Sequence, residues 1–194
     1  MRTLVVYCHP DAASFTSAVR DSALAALRSA GHDVRFTDLY EDEFDPVLSE
    51  AEHVNHLADP STKPAIARYV DDLRWCRSLV LIYPTWWAGQ PAMLKGWIDR
   101  VWMHGVAWEL AAGSARLRPL LRNVRSITVV TTHGSSKWVN ALEGEVGKRT
   151  VTRVLRSMCS RRCRTRWIAL YGIDRSTDAQ RQRFLARITR RLGR

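Results

Sequence analysis

The feature that most constrains this chain is a regular alternation of short apolar segments with amphipathic ones. Five segments rich in β-branched and aromatic residues are predicted strands, at 3–8, 34–40, 78–83, 124–132 and 165–173. Continuously apolar strands such as 78–83 are typical of a parallel sheet covered by helices on both faces. The alternation therefore predicts an α/β protein.

A helix signal follows each predicted strand. Ser14 is a candidate N-cap of the first helix, and Gly31 suits the position after its end. The repeated β-α order predicts a flavodoxin-like three-layer α/β/α sandwich. Its five-stranded parallel sheet has the order 2-1-3-4-5, and residues 1–194 form a single domain. The other helices are predicted after Pro64, after Pro91, around 151–158 and around 184–192.

Charge and cysteine content limit the function classes. The formal net charge is +11, and all but four of the 30 basic residues are arginine. The 41–59 stretch is acidic and the 153–194 stretch is basic. An excess of arginine is typical of solvated helix faces, and a polyanionic partner is the alternative. No nucleic-acid-binding motif is recognisable, so no nucleic-acid partner is predicted. No apolar run is long enough for a transmembrane helix, and the four cysteines lack zinc spacing. We expect a soluble, cytoplasmic protein with reduced thiols.

Three segments follow strands at the sheet edge where ligands of such folds bind. Residues 9–17 carry hydroxyls where a helix begins, which is a position that binds anions. Residues 83–91 contain two adjacent tryptophans suited to a flat ring, and residues 131–138 are small and polar. The chain has no dinucleotide or P-loop fingerprint, no catalytic triad order and no metal cluster. These absences favour a bound organic cofactor, with flavin the first candidate, and no side chain is assigned a catalytic or metal-binding role.

Four motifs occur in order over about residues 1–172. They are V-V-Y-C-H-P followed by S-F at 5–15, D-L-Y-x₃-F-x-P at 38–46, Y-P-T-W-W-A-G-Q-P-A-M-L-K-G-W-I-D-R-V-W at 83–102, and T-T-H-G at 131–134. Together they resemble the NAD(P)H:quinone oxidoreductase family of flavodoxin-like flavoproteins. The resemblance implies a homodimeric enzyme in which NAD(P)H passes hydride to the flavin and leaves. A quinone or similar electron-poor aromatic then takes two electrons in the same pocket.

The resemblance also implies which positions hold the cofactor and the substrate. Those at the flavin phosphate and ribityl chain are His9, Ser14, Phe15, Thr16 and Ser17. Those at the isoalloxazine ring are Pro84, Thr85, Trp86, Trp87 and Ala88, and those at its pyrimidine side are Thr131, Thr132, His133 and Gly134. Trp138 stands where members of the family have a tyrosine. The substrate-pocket positions are Gly105, Val106 and Trp108, across the dimer interface.

Several alternatives stay open. The cofactor is FMN or FAD, and the co-substrate is NADH or NADPH, with Arg116 or Arg118 as candidate contacts for the extra phosphate. The acceptor could be an azo or nitro compound instead of a quinone. A different class of function is a flavin-binding regulatory subunit of a membrane potassium-efflux transporter. It would contact that transporter through the acidic 41–59 stretch or the basic C-terminal helix.

Overall fold

The computed structural model describes residues 1–57, 63–111, 113 and 116–193. Seven strands are formed: β1 (Arg2–Tyr7), β2 (Asp33–Asp38), β3 (Ser78–Pro84), β4 (Trp108–Leu110), β5 (Leu117–Pro119), β6 (Ser126–His133) and β7 (Arg164–Tyr171). Five of them make a parallel sheet in the order β2-β1-β3-β6-β7, while β4 and β5 form a separate antiparallel pair. The main sheet has the predicted 2-1-3-4-5 order, and the flavodoxin-like fold class is confirmed.

Seven α-helices connect these strands: α1 (Phe15–Ser29), α2 (Glu50–Val54), α3 (Ala67–Trp75), α4 (Ala92–Val101), α5 (Lys137–Leu142), α6 (Val146–Arg149) and α7 (Asp178–Leu192). The helix predicted around 151–158 differs from expectation. It begins earlier, at α6, directly after left-handed backbone at Gly144 and Glu145, and continues as a π-helical turn, Thr150–Leu155. In the described residues, no helix is long and apolar enough to cross a membrane.

The core lies on both faces of the sheet. Successive residues of β1 alternate between the two sides, so that Leu4 and Val6 join one cluster while Val5 and Tyr7 join the other. Helices α3 and α4 cover the first side, and α1 and α7 cover the second. This burial on both sides explains why the strands read as uninterrupted apolar runs.

The two long connections are more structured than the sequence suggests. The first contains α2, and a Cβ at Gly96 of α4 would overlap Pro46, so this segment packs closely on that helix. The second contains the β4–β5 pair. All four cysteines are free and buried, as expected for reduced thiols.

Candidate cofactor site

The predicted segments meet at the carboxyl edge of the sheet. The chain reverses its direction of travel between β1 and β3, which is the ligand-binding point of open α/β sheets. There the rings of His9 and Trp86 lie 6.3 Å apart. Thr85 Oγ1 lies 2.9 Å from Thr131 Oγ1, and Thr85 N donates to Thr132 O. The three segments therefore form one continuous surface.

The first part of that surface is the beginning of α1. Ser14 caps the helix, since its side chain accepts from Ser17 N. No acidic residue occupies the first turn, so nothing on the helix itself competes for an anion at its positive end. Ser17 Oγ bonds Tyr7 Oη at 2.7 Å and donates to the Asp11 carbonyl, which fixes the loop before the helix.

Two other residues predicted here lie away from solvent. Thr16 is buried, and the Phe15 ring packs beside Phe184 of α7 at 6.3 Å. The Phe15 side chain thus anchors the helix, and only its backbone N–H faces the anion position at the helix start.

The second part is a tight turn after β3. Trp86 and Gly89 exchange two backbone hydrogen bonds, and the residues between them, Trp87 and Ala88, have φ values of 49° and 58°. This is the geometry of a type I′ turn, which normally contains Asn or Gly because a Cβ is strained there. Trp87 is fully exposed. Strain of this kind persists only where the surroundings enforce it, and it is concentrated at functional sites.

The turn is held from below by α6. Gly147 N donates to the Ala88 carbonyl at 2.8 Å, and Gln90 Nε2 donates to the Gly147 carbonyl at 2.9 Å. A Cβ at Gly147 would lie 3.0 Å from the Ala88 oxygen and 3.1 Å from Gly89 Cα. The close backbone approach therefore leaves little room for a side chain at 147.

The third part centres on His133, which ends β6. Its ring is buried and stacks on Tyr171, with centroids 4.5 Å apart. Nε2 lies 3.4 Å from Thr85 Oγ1, and the buried Nδ1 has no hydrogen-bond partner among the residues that the structure describes. Burial lowers the pKa of His133, while Asn140 and Glu145 partly oppose that shift. This lowered pKa favours the neutral imidazole.

The remaining predicted residues separate into those at the edge and those elsewhere. Gly134 lies at the edge, where a Cβ would come within 2.9 Å of the Asp174 carboxylate. Trp138 is largely exposed on α5, beside exposed Leu142 and Val146. The set 105–108 lies beyond the far end of α4.

The location of 105–108 follows from α4 itself. The helix begins after the Trp86–Gly89 turn and its ten residues extend about 15 Å toward the opposite edge. At that end Arg74 Nη2 donates to the Gly105 carbonyl, and Val106 is buried. Gly105, Val106 and Trp108 therefore do not join the surface formed by the other predicted residues of the same chain.

The residues at the carboxyl edge fit a phosphate-bearing flat cofactor. The helix start offers unpaired N–H groups to a phosphate. Trp87 and Ala88 donate no backbone hydrogen bond in the part of the chain that the structure describes, so their N–H groups face outward from the left-handed turn as a pair of donors. A cavity of about 290 Å³ adjoins the His9 loop on the β2 side, between Tyr7, Arg20 and Tyr40.

The sequence does not indicate three residues that build the site. Gly147 and Asn140 lie outside every motif, and Gln90 lies inside the 83–102 motif but gives no local sign of its bond to Gly147. The only available signal is Gly147 itself, a glycine inside a short helical segment.

Comparison with known proteins identifies the fold family of the chain. The model of the flavodoxin-like fold family matches residues 1–192. NAD(P)H dehydrogenase [quinone] 1 of Cavia porcellus is 29% identical over 69% of this chain and 54% of its own length. An NAD(P)H oxidoreductase of Haemophilus influenzae is 35% identical over 59% of this chain and 57% of its own.

The matched segments thus span little more than half the length of these curated relatives. Among solved structures, Smu.1420 of Streptococcus mutans has a TM-score of 0.87 at 28% identity, with 100% of this chain and 99% of that one covered. A family model that matches nearly the whole chain, together with the observed strand order, shows that this protein belongs to the flavodoxin-like fold family.

Proposed function

We propose that this protein is a flavin-dependent NAD(P)H oxidoreductase that reduces quinones or similar electron-poor aromatics. The observation that carries the proposal is the meeting of a capped helix start, a strained tryptophan turn and the 131–134 segment at one point of the sheet edge. The names of the relatives from Cavia porcellus and Haemophilus influenzae support the same reaction class.

Each part of the site has a role in this proposal. The N–H groups of the first turn of α1 hold the flavin phosphate, with Ser14 and Ser17 fixing the turn. The N–H groups of Trp87 and Ala88 donate to the electron-rich edge of the ring system. The Trp86 side chain, 42% exposed beside His9, covers one side of the ring. The His133 ring contacts the Thr85 hydroxyl and helps to hold it in place.

A bound flavin supplies hydride acceptance from NAD(P)H and electron donation to the acceptor. The chain contributes position and electrostatics. The outward-facing N–H groups stabilise negative charge near the ring without reorganisation, because the turn is already held in place by Gly147. The exposed side of the turn leaves room for a flat acceptor.

We propose further that the active form is a homodimer. The positions 105–108 can reach a substrate only in the site of a second copy, since they lie at the other end of α4. Exposed apolar side chains beside the turn support the same assembly, namely Trp87, Trp138, Leu142 and Val146. Four free cysteines fit a cytoplasmic location. Sedimentation equilibrium measures the oligomeric state directly.

The first experiment is an absorption spectrum of the purified protein, with chromatography of the cofactor released by heat. We expect a flavin spectrum, and the released compound decides between FMN and FAD. Anaerobic addition of NADH or NADPH should bleach it, and a quinone should restore it. A colourless protein that takes up neither FMN nor FAD would overturn the proposal.

A matched pair of glycine variants tests the turn. Gly147→Ala should weaken flavin binding about tenfold, roughly 1.4 kcal/mol, because the new Cβ displaces Ala88 and Gly89. Gly89→Ala is the control, since its Cβ would meet the nearest atoms at 3.8 Å or more. Fluorescence titration of apoprotein with flavin measures both. Equal affinities in the two variants would exclude the turn from the cofactor site.

A further inference from the structure

The opposite edge of the sheet carries a concentration of arginine, of which only Arg116 and Arg118 are candidate contacts for NADPH. Two segments of the sequence, 110–142 and 146–173, contain no Asp or Glu at all. Their arginine-rich parts are brought together at this edge. Leu121 N donates to the Met158 carbonyl at 3.1 Å, and Ser160 N donates to the Val124 carbonyl at 3.1 Å. The fold therefore brings two basic segments together. The carboxylates that pair with Arg118 and Lys148, those of Glu109 and Glu145, lie outside both segments.

A cavity of about 510 Å³ lies where they join. Four arginines and two serines line it: Arg116, Arg122, Arg156, Arg161, Ser157 and Ser160. We call this space the basic cavity. None of Arg122, Arg156 and Arg161 lies within 4.0 Å of a carboxylate in residues 1–57, 63–111, 113 and 116–193. Their charges repel one another, and an anion would relieve that repulsion.

Two of the arginines are fixed in place by carbonyl groups. Arg156 Nε donates to the Cys163 carbonyl at 3.1 Å and its Nη2 to the Arg161 carbonyl at 3.2 Å. Arg122 Nη1 reaches the Cys159 carbonyl at 3.4 Å. A guanidinium has five N–H donors, so most of them stay available. Pre-positioned guanidinium groups bind phosphate oxygens in pairs, which favours phosphate over a simple halide.

The surroundings extend the positive potential. Arg77 N donates to the Arg2 carbonyl, and Arg125 N to the Arg77 carbonyl, so these arginines stand side by side at the starts of neighbouring strands. A hydrogen bond with Cys159 and the charge of Arg156 lower the pKa of Cys163 against the effect of burial.

We propose that the basic cavity binds a compact anion that carries several phosphate charges. No aromatic side chain lines the cavity within the described residues, so it offers no stacking surface for a nucleobase, and the phosphate groups themselves must be what is recognised. The basic cavity lies at the amino edge of the sheet and the proposed flavin position lies at the carboxyl edge. The two are therefore separated by about the length of a strand. The inference is independent of the proposed oxidoreductase activity.

Sodium tripolyphosphate is the probe. Titration calorimetry is performed with excess FMN present, so that any phosphate position at α1 is occupied, and at constant ionic strength adjusted with NaCl. We expect one bound tripolyphosphate per chain. The melting temperature should rise by about 3 °C or more when the probe is ten times its Kd. Absence of saturable binding would overturn the proposal, whether or not FMN is retained.

Paired variants locate the binding. Arg122→Gln with Arg161→Gln should weaken tripolyphosphate binding at least tenfold, because both residues line the basic cavity. Arg190→Gln with Arg191→Gln removes the same charge from the exposed end of α7 and should change affinity less than twofold. Arg161→Gln alone keeps the test usable if the double variant unfolds, since that side chain makes no hydrogen bond in the described structure. Equal losses in the two double variants would show non-specific charge attraction and overturn the assignment.

Two further arms separate the sources of phosphate. If the cavity accepts the phosphates of a nucleotide, NADPH should compete with tripolyphosphate. If NADPH does not compete, the cavity excludes nucleotides, and in both cases the ligand is a compact anion. A 20-nucleotide single strand and vesicles with anionic phospholipid are the macromolecular probes. If these bind and tripolyphosphate neither binds nor displaces them, the cavity serves a macromolecular surface and the proposal is wrong.

Discussion

The two edges of the central sheet are built on opposite physical principles. At the carboxyl edge, close backbone contacts hold a strained turn, and the polar groups beside it include the buried His133, whose pKa is lowered, and the Thr85–Thr131 pair. At the amino edge, arginines stand at successive strand starts without carboxylates within 4.0 Å, as with Arg77 and Arg125 in the described chain. Backbone geometry is therefore the main feature of the carboxyl edge, and positive charge is the main feature of the amino edge.

The difference teaches how one fold can support two kinds of recognition. A flat neutral ring needs positioned N–H groups and apolar cover, which packing supplies. A compact anion needs positive charge that is not already neutralised within the chain. Because the strands separate the edges, the two requirements do not interfere.

The largest expected effect concerns Arg100, an arginine whose charge is satisfied inside the chain. It is buried on α4, donates to Glu52 Oε1 at 2.7 Å through Nη2, and also bonds the Asp45 carbonyl. Arg100→Met should cost about 3 kcal/mol of unfolding free energy, because Glu52 is left without its partner. Urea unfolding at pH 7 measures the loss.

Lys95→Met is the matched control. It breaks the exposed pair with Asp99 on the same helix and should change stability by less than about 0.5 kcal/mol. Burial alone would raise the pKa of Glu52, but hydrogen bonds from Arg100 and Ser49 and the Arg100 charge hold it below its ordinary value. The contribution of the pair is therefore present above pH 4.5 and lost as pH falls further. An Arg100 effect as small as the Lys95 effect would contradict the contrast between paired and unpaired arginines.

Much of this architecture could be predicted because its signals are local. The strand runs, the Ser14 cap and Gly31 with φ of 72° follow from residue type and spacing, and the predicted strand ends are within two residues of those observed. Knowing the strand order then places the carboxyl-edge segments together. The site near His9, Trp86 and Thr131 needed no long-range information beyond topology.

The rest depends on contacts between distant segments. Trp87 and Ala88 give no local sign of left-handed backbone, since the turn is enforced by Gly147 nearly sixty residues later. The placement of 105–108 depends on the length and direction of α4. The basic cavity likewise arises only when 116–122 meets 156–161. Composition indicated excess charge but could not place it.

A smaller effect is expected from replacing His133, the buried histidine at the carboxyl edge. Its pKa is lowered by burial, so the unfolded chain binds a proton more readily than the folded one. Stability should therefore fall as pH decreases through the ordinary histidine range near 6.5. His133→Gln should reduce the slope of unfolding free energy against pH between 7.5 and 5.5, whatever its effect at pH 7.5. Urea unfolding at several pH values across that range measures the slope.

The smallest effect tests the amino edge directly. Arg125 lies beside Arg77 at the strand starts, with Arg164 N bonded to its carbonyl, and it has no carboxylate within 4.0 Å in the described residues. Removal of one charge from such a row relieves repulsion, so Arg125→Gln should stabilise the protein by about 0.5 kcal/mol in 10 mM salt. Because the Debye length falls to a few ångströms near 1 M, the gain should vanish in high salt. Arg190→Gln, on α7, should show little change in either condition. Destabilisation by Arg125→Gln at low salt would mean that the row is internally compensated, and the amino edge would then resemble Arg100 rather than contrast with it.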